Sequence, residues 1–203
     1  MSPRRPVILC DVLDTLVTEP FWREMPAFFG LTLAELVAQK HPTAWVEFEL
    51  GALDEEQFLE RFFRDGRAFD QRGFLAAVHG GYRWLAGMEA LLGELARAGF
   101  ALHALSNYPC WYRAIEARLG LARFLAWSFV SCETGLRKPD PEVFRHAARA
   151  LGLRPEDCLL IDDRPENCAA AERLGMPAIV FEDAAQLRAE FVRRGLLPAT
   201  MSA

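Results

Sequence analysis

The sequence predicts an α/β fold, a Rossmann-like parallel sheet with helices on both faces and a helical cap inserted after the first strand. Three observations carry that expectation. Short apolar runs without polar–apolar alternation recur along the chain, the pattern of strands buried on both faces. Amphipathic stretches at helical spacing separate the later runs, which points to strand–helix–strand units. Residues 18–86 break the rhythm, with helical patterns and no convincing buried strand.

The first strand is expected over 6–10 (PVILC), ending against Asp11. Within 18–86, Asp54 followed by Glu55, Glu56 and Gln57 marks a helix start with an acidic first turn. The strand–helix pattern resumes at 87, where Met88, Leu91, Leu92 and Leu95 mark one helix face and Gly99 its stop. Strands follow at 101–105 (ALHAL), 127–130 (WSFV), 158–161 (CLLI) and 178–181 (AIVF). Pro141 opens a helix over 141–151 with Val143, Phe144, Ala147 and Leu151 on one side. Two more helices are expected at 165–174 and 184–193, and the tail from Pro198 to Ala203 should fray. The expected organisation is a core of 1–17 and 87–203 with 18–86 as the cap.

A hydrophobic content of 52% in 203 residues is enough to bury a sizeable core. The formal charge of -5 argues against nucleic acid as the main partner, and Arg4 and Arg5 are too few to form a basic arm. No apolar stretch approaches the roughly 20 residues of a membrane span. MSPRRP leads directly into the first strand, so no targeting peptide is expected. The five cysteines are odd in number and none has C-x-x-C spacing. That disfavours a disulfide framework or a zinc site and suits the cytoplasm. Monomer and homodimer are both open.

Chemistry-bearing residues fall at strand ends. Asp11 closes the first strand, and a carboxylate there sits where open α/β sheets bind ligands. Ser106 and Asn107 follow ALHAL, Lys138 lies in GLRKPDP just before a helix, and Asp162 and Asp163 follow CLLI. An acidic pair beside a nucleophilic carboxylate is electrostatically costly, and a hard divalent cation relieves it. Mg²⁺ is the fitting cofactor, since it takes one or two carboxylates with waters and substrate phosphate. Lys138 and the Ser106 hydroxyl are placed to hold the remaining phosphoryl oxygens. Lys40 and Lys138 are the only lysines among 23 basic residues, so a lysine kept at 138 points to a need for a compact ammonium.

These four ordered motifs, Asp11 with Thr15-Leu16, Ser106, Lys138 and Asp162-Asp163, resemble the haloacid dehalogenase-like superfamily. The resemblance implies an aspartyl-phosphate formed on Asp11 and a Mg²⁺ site of Asp11, the Leu13 carbonyl, Asp162 and Asp163. It implies phosphate contacts from Thr15, Ser106, Asn107 and Lys138. DVLDTLV, PAFFG, KHPTAWVEFE, SNYPCWY, RKPDP and IDDRPEN are further similar to plant chloroplast flavin mononucleotide hydrolases. The expected activity is Mg²⁺-dependent hydrolysis of a small phosphomonoester, with flavin mononucleotide the specific candidate. The alternatives are a metal-independent haloacid dehalogenase and a degenerate protein that binds a phosphorylated ligand.

Leu13 departs from the superfamily pattern, which usually has a second acid there. A positioned acid typically contributes about 10²–10⁴-fold when an alcohol leaves. Asp14, a turn residue where Gly is usual, is carried as a catalytic candidate, with His41 and Glu47 of the cap as other donors. Phe21, Trp22, Phe28, Phe29, Trp45 and Phe48 either stack a planar group or pack among themselves. Lys40 and His41 are candidate substrate contacts. Tyr108, Trp111 and Tyr112 are expected at the core–cap seam, and Arg164 and Asn167 are expected to organise the loop after the acidic pair.

Overall fold

Ile8, Leu9 and Cys10 are fully buried, as an unbroken apolar run in the middle of a covered sheet must be. They belong to β1 (Val7–Cys10) in a computed structural model that describes residues 5–199. The other strands are β2 (Leu102–Ser106), β3 (Ala126–Val130), β4 (Cys158–Asp162) and β5 (Ala178–Val180). All pair in parallel in the order β3-β2-β1-β4-β5, with Leu9 opposite His103 and Leu160. The chain builds β2 and β3 on one side of β1, then β4 and β5 on the other. The strand order therefore reverses at β1 and β4, and their carboxyl ends form the crevice where open sheets take ligands.

Six helices lie between β1 and β2, and the first five are α1 (Glu24–Phe29), α2 (Leu33–Gln39), α3 (Ala44–Glu49), α4 (Glu55–Glu60) and α5 (Gln71–Gly81). A 3-10 turn, Pro20–Trp22, precedes them. Asp54 accepts from Gln57 N at 2.8 Å and Gln57 Oε1 from Asp54 N at 3.1 Å, the reciprocal cap that fixes the start of α4. Then come α6 (Met88–Arg97), α7 (Tyr112–Leu119), α8 (Ser131–Thr134), α9 (Pro141–Ala150), α10 (Pro165–Glu172) and α11 (Ala184–Arg193). Gly99 takes φ +82° just past α6, a left-handed stop that suits glycine.

Alternating residues of β1 face two apolar clusters. Leu9 meets Val143, Phe144 and Ala147 of α9 on one face of the sheet. Ile8 and Cys10 belong to the other cluster, with Leu92 and Leu95 of α6 and Leu187 and Phe191 of α11. That second cluster runs on without a break into Phe48, Phe58 and Phe74 of the helices between β1 and β2, and into Phe62 just after α4. Gly51, at φ +73°, lies so close to Cys132 that a Cβ would sit 2.5 Å from its carbonyl oxygen, so the approach needs glycine. Among the described residues no helix is long and apolar enough to cross a membrane. Arg4 and most of the tail expected to fray lie outside the described residues.

Candidate active site

The turn after β1 positions the site. Asp11 N donates to Ile161 O at 2.8 Å, which ties the residue beyond β1 to β4. Asp11 Oδ1 accepts from Val12 N at 2.7 Å. Leu16 N and Val17 N then fold back on Val12 O, and Asp14 N donates to Val17 O at 2.7 Å. Asp14 is the one non-glycine residue at positive φ (55°) among the described residues. Its Oδ1 accepts from Glu19 N at 3.2 Å and its Oδ2 from Trp22 Nε1 at 2.5 Å. Asp14 thus holds the turn and draws the chain leaving it back across the site.

Lys138 is 2% exposed, with Nζ 3.0 Å from Asp11 Oδ1 and 2.5 Å from Asp162 Oδ2. Burial works against its ammonium, but the two carboxylates outweigh it and its pKa is raised. Asn107 holds the Lys138 main chain from both ends of its amide, accepting from Lys138 N and donating to Lys138 O, each at 2.8 Å. Asp162 Oδ1 accepts from Arg164 N at 3.0 Å and Asn167 Nδ2 at 2.8 Å, so both residues organise this loop. Burial pushes the Asp11 carboxyl up; Lys138 opposes this, while Asp162 and Asp163 reinforce it. Burial and then Asp162 push Asp163 up as well.

Asp11, Leu13, Asp14, Asn107, Lys138 and Asp163 line one pocket of about 240 Å³. Asp162 lies behind it on Lys138, and Thr15 and Ser106 are buried without lining it. Thr15 Oγ1 is buried with no hydrogen-bond partner among the described residues. Phe21, Trp22, Lys40 and Trp45 form the far wall. Phe28, Phe29 and Phe48 pack among other aromatic rings instead. His41 Nδ1 accepts from Thr43 N and Ala44 N, beside a small neighbouring cavity, and Glu47 is bound to Arg61 away from the pocket. Tyr108 and Trp111 meet the chain between β1 and β2, at Tyr82 and Glu55, whereas Tyr112 turns to Trp127 and Glu133.

A family model for haloacid dehalogenase-like hydrolases matches residues 7–175. The chain belongs to that family. It is 45% identical over 191 residues to flavin mononucleotide hydrolase 1, a chloroplast protein of Arabidopsis thaliana, across 94% of this chain and 78% of that protein. A phosphoserine phosphatase of Thermus thermophilus is 37% identical over 111 residues, 54% of this chain and 41% of that one. A haloacid dehalogenase family enzyme of Bacteroides thetaiotaomicron, solved with magnesium and inorganic phosphate, shares the fold at a TM-score of 0.73 and 20% identity, over 90% of this chain and 98% of that one.

The acidic residues of this hydrolase fit a metal ion. One oxygen from each of Asp11, Asp162 and Asp163 lies within 4.8 Å of the others. The donors are all hard oxygens, and a divalent cation would relieve the mutual repulsion that adds to burial in raising Asp11 and Asp163. Three pocket residues escaped the sequence reading: Glu19, Glu49 and Arg137. Arg137 Nε donates to Glu49 Oε1 at 2.6 Å, which partly offsets the upward push of burial on Glu49. Glu19 accepts from Phe21 N at 3.0 Å, and burial first, then Asp14, Asp11 and Glu49, push its carboxyl up to about 8 despite that bond. Glu19 keeps some open surface, and it faces the pocket. Nothing local to Glu19 in the sequence marks it for burial in the pocket of Asp11.

Proposed function

We propose that this hydrolase is a Mg²⁺-dependent phosphatase of a small phosphomonoester. The observation that carries the reading is Lys138, buried between Asp11 and Asp162 with Asp163 completing the acidic cluster. Asp11 attacks phosphorus, and water later releases the phosphoryl group from it. Lys138 holds a phosphoryl oxygen and favours the anionic form of Asp11 against the upward push of burial. Asn107 fixes the Lys138 main chain, and Ser106 and the unpartnered Thr15 hydroxyl support the phosphate side. Asp11, the Leu13 carbonyl, Asp162 and Asp163 would hold the metal, which would neutralise charge on the phosphoryl oxygens. Asp14 serves catalysis by holding the turn.

The finer reading is flavin mononucleotide as substrate, supported by the 45% identity to a hydrolase of that compound. A pocket of about 240 Å³ is smaller than the roughly 300–1,000 Å³ of sites that enclose drug-sized ligands. A flavin ring would therefore lie in the mouth, against Trp22 (49% exposed), Phe21 and Trp45. The five cysteines are unpaired, which suits a reducing compartment such as the cytoplasm. A panel of phosphate esters assayed with Mg²⁺ and with chelator tests the reading. Turnover should vanish with chelator, fall more than about 10³-fold in Asp11→Asn, and be most efficient on flavin mononucleotide. Turnover indifferent to metal or to Asp11→Asn would overturn it, and halide release without metal would replace it.

A further inference from the structure

An alcohol leaves phosphorus as an alkoxide unless a proton meets it, so the pocket needs a donor. Leu13 offers none. Asp11 is the attacking group, and Asp162 and Asp163 belong to the metal cluster. Lys138 is shared between two carboxylates. Both oxygens of Asp14 already accept, from Glu19 N and Trp22 Nε1. Glu49 is paired with Arg137, and a guanidinium does not give up its proton. Glu19 remains. It lines the same pocket as Asp11, accepts only the Phe21 N–H, and has no ion pair among the described residues.

We propose that Glu19 is the proton donor to the leaving oxygen, brought into the pocket by the turn that Asp14 holds. The assignment rests on the phosphatase reading. As the Asp11 oxygen bonds to phosphorus, the phosphorus–ester bond breaks and its electron pair stays on the ester oxygen. The Glu19 proton moves to that oxygen, giving the alcohol and a Glu19 carboxylate. The water that then attacks the aspartyl-phosphate returns a proton to Glu19. Around Glu19 stand Asp11 and Asp14 from the turn, Glu49 of α3, and the hydroxyls of Tyr82 and Tyr108. Every one of these is acidic or neutral. Burial first, then Asp14, Asp11 and Glu49, push the Glu19 carboxyl up to about 8, so it still carries its proton at neutral pH. Among the described residues, Lys40 is the one competing donor on the pocket wall.

The test is kcat/KM for an alkyl and an aryl phosphate in Glu19→Gln, Glu19→Asp and Lys40→Met. That constant stops at the first irreversible step and so isolates departure of the leaving group. Gln keeps the oxygen that accepts from Phe21 N, and the aryl rate reports that the fold survives. Glu19→Gln should slow the alkyl ester about 10²–10⁴-fold and the aryl ester by less than about tenfold. Glu19→Asp should recover part of the loss. The wild-type alkyl profile should fall above about pH 8, where Glu19 loses its proton, and that limb should disappear in Glu19→Gln. Equal losses on both esters, a limb that persists, or an alkyl-selective loss in Lys40→Met instead would overturn the assignment. A wild-type protein that hydrolyses neither ester would overturn the phosphatase reading itself.

Discussion

Burying an ammonium costs several kcal/mol unless opposite charges meet it, and Lys138 meets two, Asp11 at 3.0 Å and Asp162 at 2.5 Å. The same contact bridges the nucleophile and the metal cluster, so one residue serves stability and chemistry together. Lys138→Met fills the space but strands two buried carboxylates. Breaking a buried pair costs about 3–5 kcal/mol, so the urea midpoint should fall by that equivalent, and a change under about 1 kcal/mol would mean that Asp11 and Asp162 are screened by something else. Lys138 was legible in the sequence because lysine is scarce in this chain. Glu19 was not, because its partners are Asp14 across a turn and the backbone of Phe21, and no periodicity encodes them.

At the scale of elements, α3 is the piece that closes the pocket. Glu49 reaches Arg137, 88 residues along the chain, and its carbonyl accepts from Ser131 Oγ, while Trp45 forms part of the wall. Gly51 just beyond it touches the Cys132 carbonyl closely enough to exclude any side chain. Behind α3, Phe48 and Phe58 stack at 4.5 Å and 10°, and Trp111, from the chain after β2, meets both rings edge-on. Phe58 is 2% exposed, so Phe58→Ala should cost about 3–5 kcal/mol in urea denaturation, and a loss below about 1.5 kcal/mol would show that α4 collapses into the gap. The start of α4 at Asp54 was readable because its cap is local. Which rings pack and which line the pocket was not, since helical spacing is the same for both. Phe28, Phe29 and Phe48 pack, and Phe21, Trp22 and Trp45 face the pocket.

Across the whole molecule, the site follows from sheet topology. Parallel strands buried on both faces show as plain apolar runs, which is why all five could be placed from sequence to within a residue or two. Their carboxyl ends bring Asp11 and Asp162 together because β1 and β4 are neighbours, a pairing that no local pattern contains. The reversal of strand order at β1 makes the crevice, and the segment between β1 and β2 lines it with Phe21, Lys40 and Trp45. The central claim is that Asp11 carries the phosphoryl group during turnover. It is tested most directly by acid-quenching the enzyme during turnover of a phosphate ester with Mg²⁺ and mapping the peptides by mass spectrometry. The account predicts one phosphoryl group on the peptide containing Asp11, absent in Asp11→Asn. Turnover with no labelled peptide, or with the label on another residue, would contradict it.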